Sequence, residues 1–130
     1  MGLLSSLFGN ASKSNNASIF KKYEYLFSSR EVIEASYKLV RDILIFTNYR
    51  FIFIDIKGAT GKKVEYFSAP YRNVTAFSVE SSGLFDLDAE LKIWVNGFTE
   101  PISKKFNKDS NVYEVQAILA AAIANLDNLG

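Results

Sequence analysis

The chain has 130 residues, which leaves room for one domain with a modest hydrophobic core. It contains no Cys and no His, so it has no disulfide framework, no thiolate chemistry and neither of the side chains most used to bind transition metals. The formal net charge is only +1, which argues against a nucleic-acid-binding protein.

The same composition argues against an enzyme. His is the commonest general base, and a hydrolase without His or Cys would need a Ser–Lys pair, a Thr nucleophile or paired carboxylates. We therefore predict no catalytic residue, no cofactor and no bound metal. The absence of Cys fits a reducing compartment, and the longest apolar run, residues 117–124, is too short to span a bilayer. We predict a cytoplasmic location.

The first 18 residues differ in composition from the rest. An apolar patch at residues 2–8 precedes a small polar linker at residues 10–18. The start also fits a short and unspecific myristoylation pattern, and the alternative is that the patch docks on the domain or on a neighbouring subunit. Residues 19–130 are the predicted domain. It opens with apolar residues at helical spacing over 19–27, for which Ser18 is the candidate N-cap.

Seven strand-like segments follow, separated by turn residues. The first alternates apolar and polar side chains, which predicts a strand with one wet face. Turn dipeptides such as Asn96-Gly97 mark the hairpins. The predicted strands cover residues 31–40, 43–46, 51–54, 64–68, 74–80, 89–96 and 100–106.

The second and third strands are apolar on both faces. A hairpin of a small antiparallel sheet normally has one solvated face, so a second cover is needed. The sequence leaves two alternatives for this cover, the N-terminal helix or a second copy of the chain. The second is considered because exposed apolar patches of this size are rare on monomers. Alternation also places Trp94 outside the core, with Glu90 and Lys92. The predicted oligomer interface consists of Leu44, Phe46, Phe51, Phe53 and Trp94.

A helix is predicted from about Asn111 to the end. Glu114 completes a capping-box pattern with Asn111. One face carries Val112, Val115, Leu119, Ala122 and Leu126. The sequence therefore predicts a mainly β fold: a seven-stranded antiparallel barrel or sandwich capped by one C-terminal α-helix, with a short N-terminal helix.

This order of elements resembles the pleckstrin-homology (PH) fold, and the chain is more closely similar to the small bacterial PH-like family. The matching words are Tyr37-Lys-Leu-Val-Arg-Asp42, Phe46-Thr-Asn-Tyr-Arg50, Thr60-Gly-Lys-Lys63, Pro70-Tyr71 and Phe85-Asp-Leu-Asp-Ala-Glu-Leu-Lys-Ile93. The Met-Gly-Leu-Leu start and the helix before the first strand also match. The resemblance implies a PH-like barrel, a ring-shaped homo-oligomer that is a cyclic pentamer, and a protein-binding role.

Two ligand classes, a hard cation and a lipid headgroup, are alternatives to this role. Asp86, Asp88 and Glu90 share one strand face, which could suit a hard cation, but a solvated strand face is the simpler interpretation. Many PH domains hold phosphoinositides with a long basic loop between the first two strands. Here that corner is only Val40-Arg41-Asp42 and includes an acid, so membrane binding is not favoured and stays the alternative function.

We therefore predict a homo-oligomeric PH-like module that presents a polar, mixed-charge surface to an unidentified protein partner, because mixed charge gives register and specificity. The predicted protein-binding surface consists of Arg41, Asp42, Asn48, Arg50, Lys62, Lys63, Asp86 and Asp88.

Overall fold

The computed structural model describes residues 13–39, 41–81, 88–107 and 112–129, with side chains at 16–39, 41–81, 89–106 and 112–125. Helix α1 spans Lys13–Tyr23 and continues as a 3-10 turn over Glu24–Leu26. Seven strands and helix α2 follow: β1 Ile33–Lys38, β2 Ile43–Thr47, β3 Arg50–Lys57, β4 Lys63–Pro70, β5 Val74–Ser81, β6 Asp88–Val95, β7 Ile102–Asn107 and α2 Val112–Leu129.

The described strands form two antiparallel sheets, one with the order β1-β2-β3-β4 and one with the order β5-β6-β7. The predicted fold class is confirmed, except that the strands are divided between two sheets and are not closed into one barrel. The chain divides into two compact units, residues 1–68 and 69–130, here called unit 1 and unit 2.

The β2–β3 hairpin is the centre of unit 1, and its register pairs Ile43 with Ile54 and Ile45 with Ile52. All four isoleucines pack in one cluster with the buried ring of Tyr23. Around this cluster lie the half-buried side chains of the N-terminal helical segment and of the neighbouring strands: Ile19, Leu26, Phe27, Ile33, Ile56 and Val64. The N-terminal helical segment therefore covers this apolar face of the hairpin, which is one of the two alternatives predicted from the sequence.

Helix α1 begins earlier than predicted. Residues 13–18 lie in the helix although their composition is that of a linker, so Ser18 is inside the helix and is not its N-cap. The helix also packs on β1, where Asn16 Oδ1 accepts a hydrogen bond of 2.7 Å from Ser36 Oγ. Consequently the polar face of β1 is not wet as predicted: Glu34 and Ser36 are 5% and 3% exposed.

Unit 2 follows the predicted alternation. Leu91, Ile93 and Val95 of β6 are buried, while Lys92 and Trp94 between them are partly exposed. At the next turn, Phe98 N–H donates to Val95 C=O, and Gly97 has φ +93°, a conformation that favours glycine. Helix α2 contacts β5 and β6, and its buried stripe is Val112, Val115, Ile118, Leu119 and Ala122. The predicted cap Asn111 and the side chain of Leu126 lie outside the described residues.

Candidate binding surfaces

The predicted recognition residues of unit 1 lie at opposite ends of its sheet. Asn48 and Arg50 lie at the β2–β3 turn, whereas Lys62 and Lys63 lie near the β3–β4 turn with Arg41. Arg50 and Lys57 are the first and last of the eight residues of β3, so they lie seven steps or about 23 Å apart at the rise of an extended strand. These side chains therefore do not converge on one small site.

Arg50 is held inside unit 1. Its guanidinium donates from Nε to Glu31 Oε2 at 2.8 Å and from Nη2 to Glu31 Oε1 at 3.0 Å. It also donates from Nη2 to the C=O of Leu26 at 2.6 Å and from Nη1 to Ser68 Oγ at 3.0 Å. The carboxylate of Glu31 is almost completely buried, and it accepts a further hydrogen bond from Thr47 Oγ1 at 2.6 Å. We call Arg50, Glu31 and Thr47 the arginine clamp.

The clamp sets the charge state of Glu31. Burial pushes the pKa of this carboxyl up, but hydrogen bonds from Arg50, Thr47 and the N–H of Ser28 outweigh it, so the pKa of Glu31 lies below its usual range. The backbone N–H groups of Tyr49 and Arg50 both donate to Thr47 Oγ1 at 3.0 Å, which closes the turn. The side chains of the sequence word Phe46-Thr-Asn-Tyr-Arg50 therefore have a structural role in forming the hairpin.

Asn48, Asp42 and Arg41 also bind backbone groups. Asn48 Oδ1 accepts from Val32 N–H at 2.9 Å, and its Nδ2 donates to the C=O of Arg30 at 3.1 Å. Asp42 Oδ1 accepts from Ile56 N–H at 3.1 Å. Arg41 Nη2 donates to the C=O of Gly58 at 2.7 Å, which fastens the exposed Arg41 to the β3–β4 turn.

Lys62 and Lys63 are exposed beside this fastened arginine. Gly61 lies between the two groups: a Cβ built on it would be 3.5 Å from Arg41 Nη2, and its φ of +70° favours glycine. Lys57 at the end of β3 pairs with Glu65 at 3.1 Å, and the pKa of Lys57 is raised by the hydrogen bond and charge of Glu65. Asp42 and Asp55 also act on Lys57, and the exposed cations beside this group are Arg41, Lys62 and Lys63, which we call the basic end.

The acidic candidates lie in unit 2. Asp86 lies outside the described residues, and Asp88 is described only as the first residue of β6. Glu90 accepts a hydrogen bond from Ser103 Oγ and lies 3.9 Å from the ammonium of Lys92. Within the described part of the chain, no three acidic side chains come close enough together to hold a metal ion. The cation site weighed for residues 86–90 is untested, because two of its three side chains are not described.

The predicted interface residues divide into two groups. Leu44, Phe46, Phe51 and Phe53 are between 0% and 1% exposed in the single chain, so a second copy cannot reach them in this conformation. They were predicted because both faces of the hairpin are apolar, and in the single chain the side chains of both faces are buried. Trp94 is only half-buried and lies opposite Ala76 of β5. It stays a predicted interface residue.

A tyrosine cluster is a surface feature that the sequence interpretation missed. Tyr25 and Tyr66 are 66% and 41% exposed, and their hydroxyl oxygens are 2.8 Å apart. Their rings are nearly perpendicular with centroids 6.1 Å apart, and both lie within 6.5 Å of the buried ring of Tyr23. We call these three residues the tyrosine patch. From the sequence, Tyr23 is assigned to the apolar face of the helix predicted over 19–27, and no residue spacing links Tyr23 or Tyr25 to Tyr66.

The charges are also divided unevenly between the units. Residues 1–68 contain ten Lys and Arg against six Asp and Glu, a net charge of +4. Residues 69–130 contain five Lys and Arg against eight Asp and Glu, a net charge of −3, and the two values add up to the +1 of the whole chain. Two acids of unit 1, Glu31 and Glu34, are buried, and the charge of Glu31 is offset by Arg50.

None of the described helices is long and apolar enough to cross a membrane.

Comparisons with known proteins agree with this fold. The family model described as bacterial PH domain matches residues 2–123. The uncharacterised Bacillus subtilis proteins YjqA and YozO are 46% and 40% identical to the chain over 122 and 99 residues. These alignments cover 93% and 76% of the chain, and 98% and 84% of the two relatives.

Solved structures show the same similarity. The PH domain from Shewanella amazonensis superposes with a TM-score of 0.79 at 39% identity, covering 94% of this chain and 98% of that one. A PH-domain protein of the DUF1696 family from Shewanella loihica gives a TM-score of 0.75 at 38% identity, covering 84% and 93%. The predicted resemblance is therefore confirmed: this chain belongs to the bacterial PH domain family.

Proposed function

We propose that the protein is a non-enzymatic, cytoplasmic PH-type module that assembles with itself and presents a polar surface to a protein partner. The observation that carries this proposal is the division of charge, +4 on residues 1–68 and −3 on residues 69–130. Opposite charges on two parts of one chain favour a contact in which unit 1 of one copy meets unit 2 of the next, because complementary potentials steer association and fix register.

Such a head-to-tail contact is heterologous, so it repeats until the rotation closes a ring. The family resemblance implies a ring of five copies. Trp94 lies on the partly exposed face of β6 in the acidic unit, and Trp is among the residues most enriched at the energetic centres of interfaces. We infer that Trp94 supplies the apolar anchor of this contact and that the charges supply its direction.

The basic end is the part of the predicted recognition surface that we retain for the partner. Lys62 and Lys63 are exposed, and Arg41 is fastened to Gly58 in a defined position. Arg50, Asn48 and Asp42 are engaged with buried or backbone groups of their own chain. Exchanging them would disturb folding before it disturbed recognition.

The experiment is a comparison of two matched charge reversals. Arg30→Glu/Lys38→Glu, which spares the basic end, and Lys104→Glu/Lys105→Glu change the net charge equally, but the first lowers the positive charge of unit 1 and the second raises the negative charge of unit 2. By analytical ultracentrifugation we expect the first pair to dissociate the oligomer and the second to leave it intact. A monomeric wild type, or equal dissociation by both pairs, would contradict head-to-tail assembly. Circular dichroism checks both folds, because Lys105 lies opposite Glu90.

The alternative is a module that binds anionic membranes, and the basic end is the observation that favours it. Its three cations lie together at two adjacent turns, and anionic leaflets attract such clusters by about 1 kcal/mol per Lys or Arg. Flotation with phosphatidylserine vesicles separates the two functions. Binding that Lys62→Glu/Lys63→Glu abolishes while the oligomer persists would favour the membrane.

A further inference from the structure

Two rings of the tyrosine patch, those of Tyr25 and Tyr66, are exposed. Large aromatic side chains scattered singly over a surface need no explanation, but contiguous ones mark interaction sites. Tyr25 and Tyr66 come from segments 41 residues apart and still meet through their hydroxyl groups. Phe20, 43% exposed, belongs to the same helical segment and stacks on Phe27 with centroids 5.5 Å apart.

The arginine clamp fixes the two segments that carry the patch. Arg50 donates to the C=O of Leu26, the residue after Tyr25, and to Oγ of Ser68, two residues after Tyr66. The buried carboxylate of Glu31 holds the same guanidinium through two hydrogen bonds. Both segments are therefore held in place before a partner binds. Because little of the protein has to be ordered on binding, a ligand on the patch loses little affinity to conformational entropy.

The hydroxyl pair gives the patch a polar handle. When one hydroxyl donates its proton to the other, the second keeps an O–H that points away from the pair and can serve a partner's carbonyl or carboxylate oxygen. The hydrogen bond with Tyr66 raises the pKa of Tyr25 to about 12, so the hydroxyl of Tyr25 stays protonated at neutral pH. Tyr and its hydroxyl are well suited to contacts that are apolar on one side and wet on the other.

The described side chains of unit 1 expose more cations than carboxylates, and one cation, Lys22, lies beside the patch. Lys21 and Lys22 are exposed in the last turn of α1, and the ammonium of Lys22 lies 5.4 Å from the ring centroid of Tyr23. Glu24 and Glu65 are the exposed acids among the described side chains of unit 1, and Glu65 is paired with Lys57. The exposed basic side chains described in the same unit are Lys21, Lys22, Arg30, Lys38, Arg41, Lys57, Lys62 and Lys63.

We propose that the tyrosine patch is the anchor site for an acidic segment of the protein partner. An apolar side chain of that segment packs on the exposed rings of Tyr25 and Tyr66, one of its backbone or carboxylate oxygens accepts the free hydroxyl proton, and its carboxylates lie against Lys21 and Lys22. This inference rests on the proposed role in protein recognition and adds to it the place and the chemistry of the partner.

The experiment selects peptides from a random display library on the wild-type protein and measures the affinity of the synthetic winners. We expect winners that combine Asp or Glu with an aliphatic, aromatic or prolyl anchor. Tyr25→Ala/Tyr66→Ala should weaken them at least about tenfold, as expected for a pair of central aromatic contacts. The matched control is Tyr49→Ala/Tyr113→Ala, which removes two tyrosines of comparable exposure, 48% and 59%, and should leave the affinity unchanged.

Further variants test each part of the site. Lys21→Gln/Lys22→Gln should lower the affinity for the selected acidic peptides and for no other ligand. Tyr25→Phe/Tyr66→Phe keeps the aromatic rings and removes only the contribution of the hydroxyl groups to the affinity. The proposal is overturned if no peptide is enriched, if the winners lack acids, or if they bind the Tyr25→Ala/Tyr66→Ala variant as tightly as wild type.

Two other occupants of the patch appear as distinct results. If Tyr25→Ala/Tyr66→Ala dissociates the oligomer in ultracentrifugation, the patch is a contact between copies. If the same variant loses binding to phosphatidylserine vesicles while no peptide is selected, the patch belongs to a membrane surface. Either result overturns the acidic-segment proposal, whereas intact assembly with failed peptide selection leaves the proposed self-association standing.

Discussion

A single carboxylate, Glu31, decides what Arg50 can do. From the sequence, Arg50 is an arginine in a turn, which is typical of a surface recognition residue. In the structure its side chain is 27% exposed and that of Glu31 is 1% exposed, so the pair contributes to folding. Nothing in residue spacing links positions 31 and 50, because the contact depends on how the segment before β1 crosses the β2–β3 turn.

Arg50→Ala should therefore be costly. Removing one partner of a buried ion pair leaves an uncompensated charge, and we expect a loss of about 3 kcal/mol in the free energy of unfolding, the lower end for such pairs because Arg50 is partly exposed. Arg50→Lys should recover little, since an ammonium cannot reproduce the planar set of donors. The measurement is urea unfolding at one protein concentration.

Lys62→Ala serves as the control for Arg50→Ala, since a substitution at an exposed lysine should stay within about 0.5 kcal/mol of wild type. If Arg50→Ala were as mild as this control, the arginine clamp would have no role in stability.

Two buried carboxyls of unit 1 should respond to pH in opposite directions. The pKa of Glu31 lies below 4.5, so its contribution to stability is present above pH 4.5 and is lost as the pH falls through its folded pKa. Burial raises the pKa of Glu34 above 4.5, so the folded state is penalised as the pH rises from 4.5 through that folded pKa. Their Gln variants should diverge accordingly.

At pH 7 we expect Glu31→Gln to be less stable than wild type, with a gap that closes only as the pH falls below about 4.5. Glu34→Gln should be more stable than wild type at pH 7, and its advantage should vanish on acidification to about pH 4.5. Urea midpoints measured between these limits and below check both trends. If the stability of the two variants changed with pH in parallel, burial and hydrogen bonding would not shift the pKa values of Glu31 and Glu34 in opposite directions.

At the scale of elements, alternation and turn residues were sufficient to predict the seven strands and the C-terminal helix. The β-hairpin at 43–54 and the register of β6 follow directly from such patterns. Helix α1 could not be bounded in this way, because residues 13–18 are small and polar and their helicity depends on packing against β1. The same packing buries Glu34, which alternation alone places in solvent.

Tyr23 is the side chain that attaches this helix to the hairpin. It is 5% exposed and packs on Ile43, Ile45, Ile52 and Ile54, whereas its neighbour Tyr25 is 66% exposed. Tyr23→Ala should lower the free energy of unfolding by about 3–5 kcal/mol, as for other large aromatic side chains truncated in a core. Tyr25→Ala should change it by no more than about 0.5 kcal/mol.

Thermal or urea unfolding of the two variants measures this difference. Both substitutions replace a tyrosine of the same N-terminal helical segment. Equal losses would mean that the N-terminal segment is not attached through the isoleucine cluster, and that the hairpin's apolar face needs another cover.

At the scale of the whole molecule, the fold could be predicted from the sequence, but the location of the candidate binding surfaces could not. The order of elements and the five sequence words led to the bacterial PH domain family, which the comparisons confirm. The candidate surfaces were harder, because a charged residue in a turn looks the same whether it binds a backbone carbonyl, as Arg41 does, or stands in solvent, as Lys62 does. Net charge was equally uninformative, since +1 conceals two units of opposite sign.

The opposite signs of the two units lead to a prediction about salt. If charge directs the contact between copies, raising ionic strength from 0.1 M to 1 M should weaken assembly, because the Debye length falls from about 10 Å to about 3 Å. Burial of an apolar anchor such as Trp94 responds differently, since excluded salts like sulfate strengthen it. We expect sodium chloride to dissociate the wild-type oligomer progressively in ultracentrifugation at micromolar concentration, and Trp94→Ala to dissociate at lower salt than wild type. The contrary result is an oligomer that becomes more stable with sodium chloride, or one whose stability depends neither on salt nor on Trp94. Either result would show that another surface joins the copies and that the division of charge serves the partner alone.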